Sequence, residues 1–304
     1  VGKNSYVEIN RIYPVFKAIT KVLFGRLSYP FAVSIDVTYR CNLNCIHCYF
    51  LKQGYSSELS KEEWIKKIKE LKKSKDIVHC TWVGGEPLLR KDIIKNGKKF
   101  FDFNWIVTNG TLEIPTWGSC SFFVSLDGTK KFNDIIRGEG VYDKVRQNIL
   151  SSNAKIFLTV VLNKINYFCV EEMLKEWANT NVRGINFDFY TPLRKNDRLF
   201  IPVDERDKIL DKILELKREY EDFILLSKEV ITLMRSKNCQ KIIGRYCLTR
   251  KSVICLDPNG NMKTPCVMGN VDCLRCGCVI PYWIYALLIH KDFETGKITA
   301  KLIS

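Results

Sequence analysis

The sequence predicts an α/β chain: a partial (β/α)6 barrel, TIM-like but open, with a small cysteine-organised appendage after it. Three observations predict it. Apolar strand-like runs alternate with helical periodicity from about residue 31 to 190. Most of those runs close on glycine turns. Beyond residue 237 the periodicity gives way to cysteine, glycine and basic residues. Such alternation implies a parallel sheet with right-handed crossovers, and six units fall short of a closed eightfold barrel.

Residues 31–37 form a β-branched apolar run that enters a cysteine-rich loop. Ser60 followed by Glu63 is a capping box, and the helix it opens carries Trp64, Ile68 and Leu71 at i, i+4 and i+7. Strands are expected at 78–83, closing on Gly84-Gly85, at 105–108, closing on Asn109-Gly110, and at 122–126, closing on Asp127-Gly128. Residues 156–162 precede a helix with Val170, Met173, Leu174 and Trp177 on one face, and 184–190 is the sixth strand. After Pro202 one long helix is expected over 204–220. The organisation reads as an N-terminal amphipathic segment (1–30), the barrel (31–200), a helical connector (201–236) and a metal-organised region with a tail (237–304). Ligands belong at the C-terminal ends of the strands, where the glycine turns lie.

A chain of 304 residues, 46% of them apolar, can bury a sizeable core, which excludes the disordered and fibrous classes. The net charge of +15 suits an anionic partner or substrate, or simply a lysine-rich solvated surface. No apolar run reaches the eighteen residues of a spanning helix; the longest, 279–289, is interrupted by Pro281. No secretory pattern stands at the N-terminus. A cytoplasmic chain is expected, with membrane contact confined to the surface. The 13 cysteines are clustered: three lie between 41 and 48, and seven between 239 and 278. That arrangement reads as metal or iron–sulfur ligation rather than a disulfide framework. Cys80, Cys120 and Cys169 read as ordinary buried thiols.

Cys41, Cys45 and Cys48 spell CxxxCxxC. Three thiolates in eight residues can bind three irons of a cubane and leave the fourth open to a chelating ligand. A zinc knuckle with His47 as fourth ligand is the competing reading.

At these residues the chain resembles the radical S-adenosylmethionine superfamily. The resemblance implies a catalytic 4Fe–4S cluster on Cys41, Cys45 and Cys48 that cleaves S-adenosylmethionine to a 5′-deoxyadenosyl radical. Gly84-Gly85-Glu86-Pro87 matches the family's glycine-rich motif, which implies that its backbone and the Glu86 carboxylate receive the methionine ammonium. Ser125 and Asp127 fall where the family contacts the ribose and methionine end; a turn cap is the alternative for both. Asn109, closing the third strand, is placed with the cofactor residues. Val160 to Leu162 match the apolar segment near adenine, and His47 stands where an aromatic usually meets that ring. The resemblance covers about 31–190 and is most specific at the cysteines.

Cys247, then Gly260, Cys266, Cys273, Cys276 and Cys278 resemble the start of an auxiliary-cluster region of the SPASM or twitch kind, with too few cysteines for two clusters. One auxiliary 4Fe–4S is expected, on Cys247, Cys266, Cys273 and Cys276; Cys278 competes with Cys247, and Cys255 and Cys239 are weaker alternatives. A structural zinc is the competing reading. A looser similarity, in the segment 188–192 and in 265–278, links the chain to radical enzymes that process hopanoids and archaeal lipids.

Three functions follow. The first is radical hydrogen abstraction from a membrane-lipid alkyl chain, leading to carbon–carbon bond formation. Residues 9–23 suit it as a basic amphipathic helix, as do basic excesses over 1–30 and 237–279 and the apolar run 279–289. The bland alternatives are a helix covering the barrel bottom and a core segment. The second is peptide modification or enzyme maturation, weakened by the short stretch before the barrel. The third is a non-catalytic iron–sulfur or zinc module on nucleic acid, which the intact Gly84–Pro87 motif argues against. The partners expected are an external reductant, ferredoxin- or flavodoxin-like, and a lipid surface, with no nucleic acid.

Overall fold

The computed structural model describes residues 28–50, 53–54, 57–269 and 271–304. The strands are β1 (Ala32–Asp36), β2 (His79–Val83), β3 (Phe103–Thr108), β4 (Cys120–Ser125), β5 (Ile156–Leu162), β6 (Ile185–Phe189) and β7 (Val253–Leu256). They form one parallel sheet in the order β6-β5-β4-β3-β2-β1-β7. The six expected strands are present within a few residues of their predicted limits. The seventh arises in the region expected to lack periodic structure: Val253–Leu256 pairs along β1, so the C-terminal segment extends the sheet itself.

The sheet has two distinct faces. On the outer face Trp82 lies against Ile68 at the position of Gly97. Ile68 and Trp64 are the buried stripe of α1 (Lys61–Ser74), which starts at the Ser60–Glu63 capping box; burying two such side chains contributes about 3–6 kcal/mol. Helix α2 (Lys91–Gly97) packs beside it. On the inner face an aromatic ladder crosses four strands: His79–Trp105 at 4.5 Å between centroids, Trp105–Phe123 at 5.0 Å and Phe123–Phe157 at 5.5 Å. That ladder fixes which residues of each strand face the lumen, since side chains alternate with period two.

Crossovers between strands are less regular than a (β/α)6 repeat. Residues 109–119, between β3 and β4, form no helix, whereas two, α3 (Lys130–Arg137) and α4 (Val141–Leu150), separate β4 from β5. Helix α5 (Val170–Trp177) buries the four predicted residues Val170, Met173, Leu174 and Trp177. The long helix expected over 204–220 stops early, as α6 (Arg206–Leu216). Lys217 ends it by turning its ammonium to the carbonyls of Glu221 and Ile224, and Ile224 then bridges to Ile185 on the free edge of β6.

The apolar run 279–289 is a core helix. Helix α8 (Ile280–Leu288) buries Tyr282, Trp283, Ile284, Ala286 and Leu288 against α7 (Lys228–Met234) and α9 (Phe293–Ile303). The C-terminal end of α9 reaches the N-terminal end of β4, where Ser121 Oγ donates to the Leu302 carbonyl at 2.6 Å. Residues 9–23, expected as an amphipathic helix, lie outside the described residues. Among the described residues no helix is long and apolar enough to cross a membrane.

Candidate active site

The cysteine loop leaves β1 and is fastened at once to the glycine motif that follows β2. Val37 N–H donates to the Val83 carbonyl (3.0 Å), Gly85 N–H to Thr38 (2.9 Å) and Glu86 N–H to Arg40 (2.8 Å). These contacts carry the β1–β2 pairing past both strands and deliver the chain at Cys41. A β-carbon on Gly84 or Gly85 would collide with the Thr38 or Arg40 carbonyl. The glycines therefore permit backbone-to-backbone approach that no other residue allows.

Glu86, expected to receive the methionine ammonium, makes three contacts within the protein. Its side chain is fully buried, and its oxygens accept from Leu88 N–H (2.9 Å), Thr108 Oγ1 (2.8 Å) and Asn109 N–H (2.7 Å). The carboxylate thus locks the β2 turn to the β3 turn. Burial raises its pKa, against those hydrogen bonds. Pro87 is buried with it, while the backbone of Gly84 and Gly85 stays partly accessible.

Asn109 ties the same turn to the cysteines. Its amide nitrogen donates to Asn42 Oδ1 at 2.9 Å and lies 3.8 Å from Cys41 Sγ; its oxygen accepts from the Thr111 N–H and hydroxyl. Cys41 Sγ also accepts from Leu43 N–H at 3.5 Å. Donors aimed at a sulfur suit a thiolate ligand.

On the other side of the loop stands a buried charge cluster. Asp127 Oδ1 accepts from Val161 N–H (2.8 Å), and Oδ2 lies 2.7 Å from Arg137 Nη2 and 3.1 Å from His47 Nε2. Burial would raise the Asp127 pKa, but Arg137 and His47 outweigh it and pull it down to about 2. His47, expected against adenine, is held by this carboxylate; its Nδ1 is buried without a partner. Through these contacts the Asp127 carboxylate ties His47 of the cysteine loop to β5 and to the end of α3. Arg137, at the end of α3, was not among the predicted site residues, because its partner comes from a different turn of the chain.

Strand parity corrects the β5 expectation. Val160 and Leu162 are almost fully buried on the outer face. Thr159 and Val161 share the inner face with Phe157 and keep some accessible surface. Ser125, half-buried, registers with Thr159.

The second cysteine group closes the open side of the barrel. From β7 the chain crosses to β6, where Phe189 N–H donates to the Gly277 carbonyl (2.9 Å), Gly277 N–H to Thr191 Oγ1 (2.8 Å) and Val279 N–H to Asp188 Oδ1 (2.7 Å). Gly277 sits so close to Phe189 that a β-carbon would strike its carbonyl. Arg206, buried with its guanidinium 5.0 Å from the Phe189 ring, donates to the carbonyls of Cys276 and Arg275. At the β1 end, Lys263 Nζ pairs with Asp36 Oδ2 at 2.6 Å, both buried. Burial lifts Asp36 to about 6, with Lys263 opposing.

Cys247, Cys266 and Cys273 lie near enough to one another and to Cys276 that their thiolates add to burial in raising the pKa of Cys266, Cys273 and Cys276. Cys278 is deep as well, and its nearest charged neighbour is Asp188. Cys255 lies beside Cys266 and Lys263, and Cys239 is buried near Arg206. Burial pushes Cys45 up to about 11 and Cys276 up to about 12, and raises Cys41. Thiols in such places ionise when a metal supplies the positive charge. None of the 13 cysteines is in a disulfide, and both groups fit iron ligation in donor type and surroundings. Among the described residues no three His, Cys, Asp or Glu side chains converge on one ion, a criterion that a cubane, with each thiolate on its own iron, does not have to meet. Tyr49, after Cys48, lies within electrostatic reach of Cys266 and Cys255 of the second group.

Comparison with known proteins agrees with this geometry. The model of the Radical SAM superfamily matches residues 35–238. The chain is 27% identical to the Fe-coproporphyrin III synthase of Methanosarcina barkeri, over 62% of its own length and 51% of the synthase. It is 26% identical to the sporulation killing factor maturation protein SkfB of Bacillus subtilis, over 49% of its own length and 40% of SkfB. The chain thus spans about half the length of these curated relatives. Among solved structures, Streptococcus suis SuiB bound to S-adenosylmethionine superposes with a TM-score of 0.64 at 14% identity, over 82% of this chain and 63% of SuiB.

Proposed function

Starting from the membership of this chain in the radical SAM superfamily, to which it belongs by the match over 35–238, we propose that it is a peptide-modifying enzyme carrying one auxiliary cluster. It is a radical S-adenosylmethionine enzyme with a 4Fe–4S cluster, for which Cys41, Cys45 and Cys48 are the proposed ligands; Cys247, Cys266, Cys273 and Cys276 are proposed for the auxiliary cluster. When bound, the first cluster supplies the electron that cleaves S-adenosylmethionine. The protein's own part is to orient and to exclude water. The Gly84–Glu86 backbone and the Asn109 turn position the cysteine loop. Arg206, Gly277 and Lys263 hold the second cysteine group over the lumen.

One observation carries the choice of substrate. At the two sides of the aromatic ladder the lumen carries polar side chains: Thr159, Asn186 and Asp188 on β5 and β6, with Asp36 and Tyr49 at β1. An alkyl chain there would leave the open oxygens, Asn186 Oδ1 and Asp36 Oδ1, without a donor, at a cost of about 1–3 kcal/mol each. Peptide amides and polar side chains would satisfy them. The name of SkfB points the same way. The lipid reading, with carbon–carbon bond formation on an alkyl chain, loses one support because 279–289 is interior helix; its other main support, 9–23, lies outside the described residues. Reduced enzyme should form 5′-deoxyadenosine in proportion to added peptide, with a mass change in that peptide. Stimulation by anionic liposomes alone, with peptides inert, would reverse the choice.

A further inference from the structure

Asp188 and Asn186 stand on the luminal side of β6, beneath the loop that carries Cys276 and Cys278. Asp188, partly buried, differs from the two aspartates at the other strand ends. Asp127 has Arg137 and His47, and Asp36 has Lys263. Asp188 has only neutral partners: Val279 N–H on Oδ1 at 2.7 Å, and on Oδ2 the Asn186 amide at 2.7 Å and the Thr159 hydroxyl at 3.5 Å. Among the described residues no cation is paired with it. Beside it the Asn186 oxygen is buried and accepts nothing, in a residue only 7% exposed. The amide nitrogen of Asn186 is committed to Asp188, which turns the oxygen away from the carboxylate and leaves it open. A partly buried charge without a counter-charge and a buried amide oxygen without a donor each cost free energy. Two such defects on one wall of one lumen are removed together by a single ligand that brings positive charge and several N–H donors.

We infer that Asp188 and Asn186 form a subsite for a cationic, N–H-rich group of the substrate, a guanidinium or an ammonium, held at the lumen side of the second cysteine group. For the molecule that carries the cation, this rests on the peptide reading, where it selects arginine or lysine at the modified region. An ion pair formed in a dry lumen with amide support is stronger than one at the surface, so it sets specificity. The subsite itself requires only the two β6 side chains.

The test uses the full chain with its clusters reconstituted and two small probes of similar size, n-butylguanidine and n-pentanol, followed by anaerobic calorimetry. The wild-type protein should bind the guanidine at least roughly tenfold more tightly than the alcohol. Asp188→Asn should bring the two affinities together, and Asn186→Leu, which removes the open amide oxygen and a donor to Asp188, should narrow the gap. The ratio is internal to each variant, so a partial loss of folded protein does not affect it. Equal binding of the two probes by the wild type, or an undiminished ratio in Asp188→Asn, would overturn the subsite. So would a parallel loss of S-adenosylmethionine affinity in that variant, because the cation met by Asp188 would then be the cofactor's. Paired peptides differing only in arginine or citrulline separate the two claims. A guanidine that binds while no peptide turns over keeps the subsite and removes the peptide reading. Peptides that turn over equally well with arginine or citrulline keep that reading and remove the subsite.

Discussion

Replacing Arg137 by methionine removes the guanidinium that lies 2.7 Å from Asp127 while keeping a long apolar stem in its place. Asp127 is fully buried and Arg137 nearly so. Breaking a buried pair from one side leaves an uncompensated charge and costs about 3–5 kcal/mol. The pH dependence gives a second, independent sign. In the wild type Asp127 is held at about 2, below its ordinary 3.8. It therefore contributes stability above pH 4 that is lost as pH falls toward 2, about 2 kcal/mol at 1.4 kcal/mol per pH unit. Without Arg137, burial dominates and the folded pKa rises above the unfolded value. The group then favours the folded state at low pH and opposes it as pH rises. Anaerobic urea titration followed by circular dichroism should show Arg137→Met losing stability between pH 5 and pH 8, where this group leaves the wild type flat. Adding Asp127→Asn to the variant should recover most of the loss and restore the flat profile. A loss below about 1 kcal/mol, or a flat profile in the single variant, would refute the view that this pair braces the cysteine loop.

Alanine at Cys41, Cys45 and Cys48 together should abolish 5′-deoxyadenosine formation while the second cysteine group keeps its iron; iron content and the product assay check both halves. Gly277→Ala, which drives a β-carbon into the Phe189 carbonyl, should deplete auxiliary iron selectively, whereas Gly85→Ala, which strikes the Arg40 carbonyl, should deplete iron at Cys41–Cys48; Mössbauer spectra of the two variants separate the sites. Glu86→Gln points an amide N–H at the Asn109 or Leu88 N–H in place of an acceptor, so it should cost about 1–3 kcal/mol of stability and weaken S-adenosylmethionine binding only to the extent that the turns shift; unchanged urea stability with lost affinity would return the carboxylate to the ligand.

The sequence alone determined the strand order along the chain, the capped first helix, the two cysteine groups and the glycine turns between them, because each is encoded within a few residues. Period-two and period-3.6 patterns follow from local backbone geometry, and CxxxCxxC brings its thiolates together whatever the rest of the fold does. Tertiary structure decided the rest. The Asp36–Lys263 pair joins positions 227 apart in the chain, and Arg137 meets Asp127 through a helix end rather than a motif. Glu86 was read as facing a ligand because its motif is local, yet two of the three donors on it, Thr108 and Asn109, come from the end of β3. Val160 was read for Val161 because an apolar run of three does not reveal which side of the sheet is the lumen. Val253–Leu256 escaped notice as a strand because four residues carry too little periodicity, and only the open edge of β1 makes them one. Polar groups in a lumen are defined by what faces them across space, so Asp188, an ordinary aspartate in the sequence, became a site only when the sheet curved and no cation was found beside it.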